Sequence, residues 1–255
     1  MSSLAVKPDV SVVIPSHNEQ DNLPTLVEEI LAAEKASGRR FEIVVVDDQS
    51  SDQSWNVLLK LAARHQQIAA HRMEKQSGQS AALSAGFDVA KGAIVVTMDA
   101  DLQNDPADVP KLLKVLESGE ADCAIGWRRD RRDPLSKKVI SKIANGVRNW
   151  MTSESVKDTG CGLKAFRREC LMKIARFNGM HRFFPTLVKM HGYTVAEIPV
   201  NHRPRTRGKT HYNIFNRFLR PMADLLAVRW LQKRTLRYRL LKEAGVAVRI
   251  HADAA

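Results

Sequence analysis

Short β-branched runs alternate along the chain with stretches whose apolar residues recur at helical spacing. Val10 to Ile14 is one such run; Leu23, Leu26, Val27, Ile30 and Leu31 then fall on one helical face, and Ile43 to Val46 is a second compact apolar run. This predicts a strand–helix–strand unit. Leu58, Leu61 and Ala62 mark a second helix, Ile68 to Ala70 a third strand, and Ala82, Leu83, Gly86, Val89 and Ala90 a third helix closed by Gly92. Ile94 to Met98 reads as a buried strand, a helix after Pro106 carries Leu112, Leu113 and Leu116, and Asp122 to Ile125 is a further strand. Such alternation predicts an α/β fold with a mostly parallel sheet flanked by helices, whose ligands sit beyond the carboxyl ends of the strands. After Gly126 the pattern changes to a basic loop, a helix over Val139 to Trp150, an irregular segment with helices, and a last strand at Val195 to Val200. The predicted organisation is a flexible terminus over 1–8, one main domain over 9–212, a basic amphipathic helical extension over 213–243 and a flexible tail over 244–255.

With 255 residues, 44% hydrophobic and 27% charged, the chain has ordinary globular composition and enough length for a full core. No apolar run reaches the eighteen or so residues of a spanning helix, and Val10 to Pro15 is too short for a signal peptide, so the protein is expected to stay in the compartment of its synthesis. Cys123, Cys161 and Cys170 are odd in number and lack metal-ligand spacing, which predicts reduced thiols in a cytosol. The net charge of +12 is concentrated late: His202 to Glu243 holds twelve Lys or Arg against Asp224 and Glu243, a local +10. A segment of that kind attracts polyanions, whether nucleic acid, anionic lipid or phosphorylated substrate.

Three predicted strands end in carboxylates: Glu19 after the first, Asp47 and Asp48 after the second, Asp99 and Asp101 after the fourth. Converging acids repel one another unless a hard cation or hydrogen-bond donors lie between them. In an extended Asp99-Ala100-Asp101 both side chains would face one way, about 7 Å apart along the strand, and Gln103 would repeat the spacing. Oxygen ligands of this type suit Mg2+ or Mn2+ better than zinc. A polar turn capping the helix at Pro106 is the plainer alternative for Asp101 to Asp105.

The segments VSVVIPSHNEQDNL, EIVVVDDQSSDQS, GQSAALSAGFDVAKGAIVVTMDADLQNDP and DTGCGLKAFRRE resemble family 2 glycosyltransferases, and over about Val10 to Arg229 the chain is similar to dolichol-phosphate and polyprenyl-phosphate mannosyltransferases. The resemblance implies a GT-A catalytic domain, a nucleotide-sugar donor, a divalent cation and inversion at the anomeric carbon. It assigns donor binding to Pro15, His17, Asn18, Glu19, Asp47 and Asp48, and metal binding to Asp99, Asp101 and Gln103. Arg128, Lys137 and Ser141 fall on its acceptor-side positions, and Arg205, in Arg205-Thr206-Arg207-Gly208-Lys209-Thr210-His211, on its diphosphate-neutralising loop. His17 stands where the family has Tyr, Gln49 where it has Gly, and His211 where it has Lys, a role that Lys209 or a protonated His211 could take. Gly78 and Gln79 form a candidate loop beside the donor. Gly160 to Ala165 matches G-x-G-x-x-A but does not follow a first strand, so a dinucleotide site is not expected.

The expected reaction moves a sugar, mannose from GDP-mannose first among donors, onto a polyprenyl or dolichyl lipid phosphate. Asp99 and Asp101 would bind the catalytic cation, and Arg128 and Arg205 would hold anionic oxygens in line. A phosphate acceptor needs no general base. A hydroxyl acceptor would need one, for which Asp158 is the candidate, with loop capping as its rival role. Alternatives are a UDP-glucose or UDP-N-acetylglucosamine donor, a glycan or lipid hydroxyl acceptor and, remotely, a basic nucleic-acid-binding protein; no reading module supports the last, and no nucleic-acid partner is expected. Ile214, Phe215, Phe218, Leu219, Met222, Leu225, Leu226 and Leu236 can share one apolar stripe among arginines. Such a helix would lie on an anionic membrane surface at the cytoplasmic face or, in its first half, pack on the core; it also leaves room for an integral-membrane partner.

Overall fold

The computed structural model describes residues 7–129, 145–152, 154–204 and 216–236, with side chains in the last stretch from Met222 onward. Lys137, Ser141, Arg205, Lys209 and His211 lie outside the described residues, as do Ile214 and Phe215.

The predicted alternation is present as β1 (Val10–Ser16), α1 (Leu23–Ser37), β2 (Phe41–Asp47), α2 (Ser54–Arg64), β3 (Ile68–Arg72), α3 (Gln79–Val89) and β4 (Ile94–Thr97), then a 3-10 turn (Pro106–Asp108), α4 (Val109–Glu117) and β5 (Cys123–Arg128). A helix at 145–152 (α5) follows. After it come β6 (Lys164–Arg167), α6 (Arg168–Lys173), α7 (Phe184–Met190), β7 (Val195–Val200) and α8 (Asn216–Arg234). One seven-stranded sheet results, in the order β3-β2-β1-β4-β6-β5-β7. The pairs β1/β2, β1/β4, β2/β3 and β5/β7 are parallel, whereas β6 runs antiparallel between β4 and β5.

Alternate residues of β1 and β2 feed two apolar clusters. Val12, Ile14, Ile43 and Val45 pack with Leu26, Leu58 and Leu112 on one face. Val13, Val44 and Val46 pack with Leu83, Phe87 and Phe184 on the other. Two-sided burial explains why β2 is apolar along most of its length instead of alternating. Helix α8 belongs to the second cluster through Leu225 and Val228, and Gln232 Nε2 donates to the Thr152 carbonyl at 3.0 Å. The single apolar stripe expected over 214–236 is divided: Met222 and Leu225 turn inward, while Leu226 and Trp230 are exposed. No described helix is long and apolar enough to cross a membrane.

The reversed strand decides where the site can form. Because β6 is antiparallel, its first residue lies toward the carboxyl ends of its neighbours: Lys164 is opposite Thr97, the last residue of β4, and Ile125 of β5. The segment 156–163 that enters β6 therefore runs along the carboxyl ends of β4 and β5, where the Gly162 carbonyl accepts from Thr97 Oγ1 and the Leu163 carbonyl from Gly126 N, each at 2.9 Å.

Candidate active site

The first two strand ends build a donor-side wall. Asn18, in the left-handed region at φ 58°, accepts from Ser51 N at 2.8 Å and Asp52 N at 3.3 Å through Oδ1, which ties the loop after β1 to the loop after β2. His17 Nδ1 donates to the Asp48 carbonyl at 2.9 Å, and Gln76 Nε2 and Asn18 Nδ2 each lie 3.3 Å from Nε2. Glu19 Oε2 accepts from Asn22 Nδ2 at 2.6 Å. Asp48 accepts Ser77 N at 2.7 Å and Gly78 N at 2.8 Å, one on each carboxylate oxygen, and so shapes the loop that starts α3. Gly78, at φ 88°, adopts a conformation that a side chain would oppose. Asp47 is fully buried; Oδ2 meets Arg72 Nε at 3.2 Å and Oδ1 has no donor among the described residues. Both acids thus perform structural work at the positions that the resemblance gives to donor binding. Gln49, replacing the family's Gly, sits at φ 55°, the left-handed conformation that glycine takes without penalty. Its amide donates to the Met73 and Glu74 carbonyls at 2.7 and 2.9 Å, which offsets that cost.

The metal-type cluster differs from the extended arrangement expected of it. β4 ends at Thr97, residues 100–101 form a turn, and Leu102 is left-handed at φ 61°. The backbone folds because Asp101 Oδ1 accepts from Gln103 N at 3.1 Å and Asn104 Oδ1 from Asp99 N at 3.2 Å. Asp99 Oδ1 accepts from Gln79 Nε2 at 2.9 Å, and a Cβ on Gly162 would overlap the same carboxylate. Asp99 is therefore held from both sides. No three His, Cys, Asp or Glu side chains gather at one point among the described residues. Two carboxylates and an amide oxygen still fit Mg2+ or Mn2+, which characteristically take one or two carboxylates and complete their shell with substrate phosphate and water.

On the far side of β6, Arg128 forks onto Asp158, with Nε to Oδ2 at 2.7 Å and Nη2 to Oδ1 at 2.9 Å. Asp158 Oδ1 also accepts from Gly160 N at 3.1 Å. Arg148, buried on α5, braces this loop through Thr159 Oγ1 and the Val156 carbonyl. Lys164 is buried, bonds the Cys161 carbonyl and lies 5.8 Å from the Phe184 ring centroid; burial pushes its pKa down. His181 is no ready base: burial, then Arg182 and Lys164, push it down to about 3, and its Nδ1 lies 2.8 Å from Ser80 Oγ. Burial likewise raises all three thiols, Cys170 to about 12, so none is a thiolate at neutral pH.

The sequence pattern of Glycosyl transferase family 2 matches residues 11–175, which include every one of these elements up to β6 and α6. The chain belongs to that family. The dodecaprenyl-phosphate galacturonate synthase of Rhizobium johnstonii is 34% identical over 229 residues, covering 88% of this chain and 68% of the relative. The undecaprenyl-phosphate 4-deoxy-4-formamido-L-arabinose transferase of Photorhabdus laumondii is 38% identical over 219 residues, covering 85% and 66%. The chain thus spans about two thirds of the length of these relatives. In fold it is similar to the Pyrobaculum calidifontis mannosyltransferase PcManGT solved with GDP-Man and Mn2+, at TM-score 0.63 and 20% identity over 92% of this chain and 67% of that one. It is also similar to the glucosyl-3-phosphoglycerate synthase of Mycobacterium tuberculosis solved with Mn2+, UDP and phosphoglyceric acid, at TM-score 0.68 and 20% identity over 88% and 78%. The protein is a glycosyltransferase with a GT-A fold.

Arg203 lies outside the quoted motifs, yet its guanidinium bonds Asp105 of the turn; Gln79 and Asn104, which fall inside one of those motifs, bond Asp99. Gln79, expected in a loop beside the donor, opens α3 with Gly78 just before it.

Proposed function

We propose that this glycosyltransferase moves a sugar from a nucleotide-diphosphate donor to a polyprenyl phosphate, with inversion. The observation that carries the reading is the rim itself: an acidic turn on one side of β6 and the Arg128–Asp158 pair on the other, in a chain at least 34% identical to two enzymes named for polyprenyl-phosphate acceptors. The bond from the anomeric carbon to the donor diphosphate breaks, and one from the same carbon to an acceptor phosphate oxygen forms. Asp99, Asp101 and Gln103 would hold a divalent cation that stabilises, as a Lewis acid, the charge developing on the leaving diphosphate. Asp48 keeps the Ser77–Gly78 loop closed beside the donor, and Arg128, oriented by Asp158, presents its guanidinium toward an anionic acceptor. A phosphate monoester is already ionised at neutral pH and needs no base. Asp158, the carboxylate that a hydroxyl acceptor would require as base, is engaged by the Arg128 fork. The motifs favour mannose from GDP-mannose, whereas the named relatives handle galacturonate and 4-deoxy-4-formamido-L-arabinose, so the donor is the quantity to measure.

We place the membrane-facing surface on the outer side of α8, where Leu226 and Trp230 are exposed one turn apart and Lys233 and Arg234 follow on the next. An apolar stripe with an aromatic anchor and flanking cations suits an anionic interface at the cytoplasmic side. The deciding assay is transfer of labelled sugar from GDP-mannose, UDP-glucose, UDP-N-acetylglucosamine and UDP-galacturonate into organic-extractable undecaprenyl phosphate, with and without Mn2+. Label in a glycan or free alcohol and none in the lipid phosphate would overturn the acceptor assignment.

A further inference from the structure

Residues 201–204, which follow β7, are sewn to the outer side of the acidic turn. Asn201 N donates to Asp108 Oδ2 at 2.6 Å and its Nδ2 to Asp105 Oδ2 at 3.3 Å. His202 forms an isolated antiparallel bridge with Asn104, and Arg203 N donates to the Gln103 carbonyl at 3.0 Å. The Arg203 side chain then reaches two carboxylates, Asp105 again and Glu29. Nη1 meets both oxygens of Glu29 at 2.8 and 2.7 Å, and Nη2 meets Asp105 Oδ1 at 2.8 Å. Glu29 lies on α1, so a single residue ties together α1, the acidic turn and the end of β7.

That turn needs an external hold. Leu102 is left-handed at φ 61°, a conformation that costs a side-chain-bearing residue roughly 1–2 kcal/mol. The hydrogen bond from Gln103 N to Asp101 closes the turn from within, while the backbone N–H of Arg203 holds the Gln103 carbonyl and its guanidinium holds the Asp105 carboxylate against Glu29. We infer that Arg203 is a positioning residue for the cation site, fixing the 101–105 turn so that the Asp101 carboxylate and the Gln103 amide face Asp99. The inference rests on the reading of Asp99, Asp101 and Gln103 as cation ligands. Arg203 touches neither donor nor acceptor in this role; it acts through the turn. An isolated surface ion pair contributes little to stability, whereas groups that orient metal ligands from behind typically cost 10–100-fold in metal affinity when removed.

The experiment titrates Mn2+ into the full-length protein and follows the free-ion EPR signal, first with protein alone and then with UDP or GDP added, alongside melting temperatures. Arg203→Met should weaken Mn2+ binding about 10–100-fold in a protein still folded at the assay temperature. Arg203→Lys, which can serve one carboxylate but not all three contacts, should fall between it and wild type. Glu29→Gln, on α1 and remote from the ligands, should move affinity the same way by less, and it decides the matter if Arg203→Met fails to fold. Arg39→Gln, which breaks an exposed pair with Glu117 at 2.7 Å beside the start of β2, should leave Mn2+ affinity unchanged. A folded Arg203→Met with wild-type affinity, or variants in which only the melting temperature moves, would overturn the inference. Failure of the wild type to bind Mn2+ better than Asp101→Asn would instead remove the cation reading, and this inference with it.

Discussion

Gly162→Ala tests the closest approach in the site. An added Cβ would lie 2.6 Å from Asp99 Cγ and 2.8 Å from Asn104 Oδ1, and nearer still to Asp99 Oδ2. Non-bonded carbons sit about 3.5–4.0 Å apart, so the Asp99 carboxyl must retreat by about 1 Å. It cannot do so without loss, because Gln79 holds Oδ1 at 2.9 Å and Asn104 holds the Asp99 N–H at 3.2 Å. Overpacking of this kind costs about 1–3 kcal/mol of stability, a drop of several degrees in melting temperature. A shift of about 1 Å at a catalytic ligand can cost on the order of 100-fold in rate. We therefore expect kcat/KM for transfer into lipid phosphate to fall about that far, with weakened Mn2+ binding, while the protein remains folded. Gly146→Ala is the matched control: it lies on α5, nothing approaches its Cβ within 4 Å, and alanine should add roughly 0.5–1 kcal/mol without changing activity. A Gly162→Ala enzyme with wild-type kcat/KM and Mn2+ affinity would refute the assignment of Asp99.

Asp101→Asn should abolish transfer while moving the melting temperature little, since it removes a ligand charge at nearly constant shape; retained activity in this variant or with chelator present would contradict the cation site. Arg128→Ala should cost both activity and about 3–5 kcal/mol of stability, because Arg128 and Asp158 are only 14% and 5% exposed and a buried carboxylate would lose its partner. An activity loss with unchanged denaturant midpoint would show the pair to be energetically idle. Between pH 6.5 and 5 the unfolded chain protonates His181 while the folded one, held near 3, does not, so stability should decline by up to about 1.4 kcal/mol per pH unit. His181→Gln should flatten that part of the profile, and an unchanged slope would exclude His181 as its source. Paired Leu226→Ser and Trp230→Ser substitutions should reduce co-sedimentation with phosphatidylglycerol vesicles, and truncation after Leu231 should reduce it as well, with nucleotide binding spared in both; undiminished sedimentation in either would remove α8 as the attachment surface.

Sequence periodicity captured what repeated burial dictates. β1, β2 and β4 were legible because burial makes them short apolar runs, and β3, β5 and β7 because their apolar residues stand between helical or polar stretches; the acids at the ends of β1, β2 and β4 stood out by position alone, although Asp47 and Asp48 also carry structural contacts. β6 was not. Lys164-Ala165-Phe166-Arg167 has four residues, no β-branched side chain and a charge at each end, and only its pairing with both β4 and β5 makes it a strand. Without β6, the position of Asp158 across the rim from Asp99 could not be derived, and Arg128 was assigned an anion-holding role without its buried partner Asp158. The turn at Asp99 to Gln103 was misjudged for a related reason: spacing by two implies one face only while the chain is extended, and an internal bond from Gln103 N to Asp101 bends it. Arg203 is legible only in three dimensions, because its partners Glu29 and Asp105 lie far from it in sequence.

Helix α8 shows Leu225 and Val228 to the core and Leu226 and Trp230 to the exterior, with no linker between the two faces. A surface mounted this way behaves as an axle and not as a string. An anchor on a flexible tether leaves a catalytic domain free to tumble through all orientations; a face that shares its backbone with the core transmits its own tilt and height to the rim. If that face rests on a bilayer, the crevice stands at one elevation and one angle above it, and a lipid phosphate is met only where the head group rises to that elevation. Chain length beyond the first few isoprene units would then be invisible to the enzyme, whereas a shift of the outer face by one helical turn would change which acceptors it can reach.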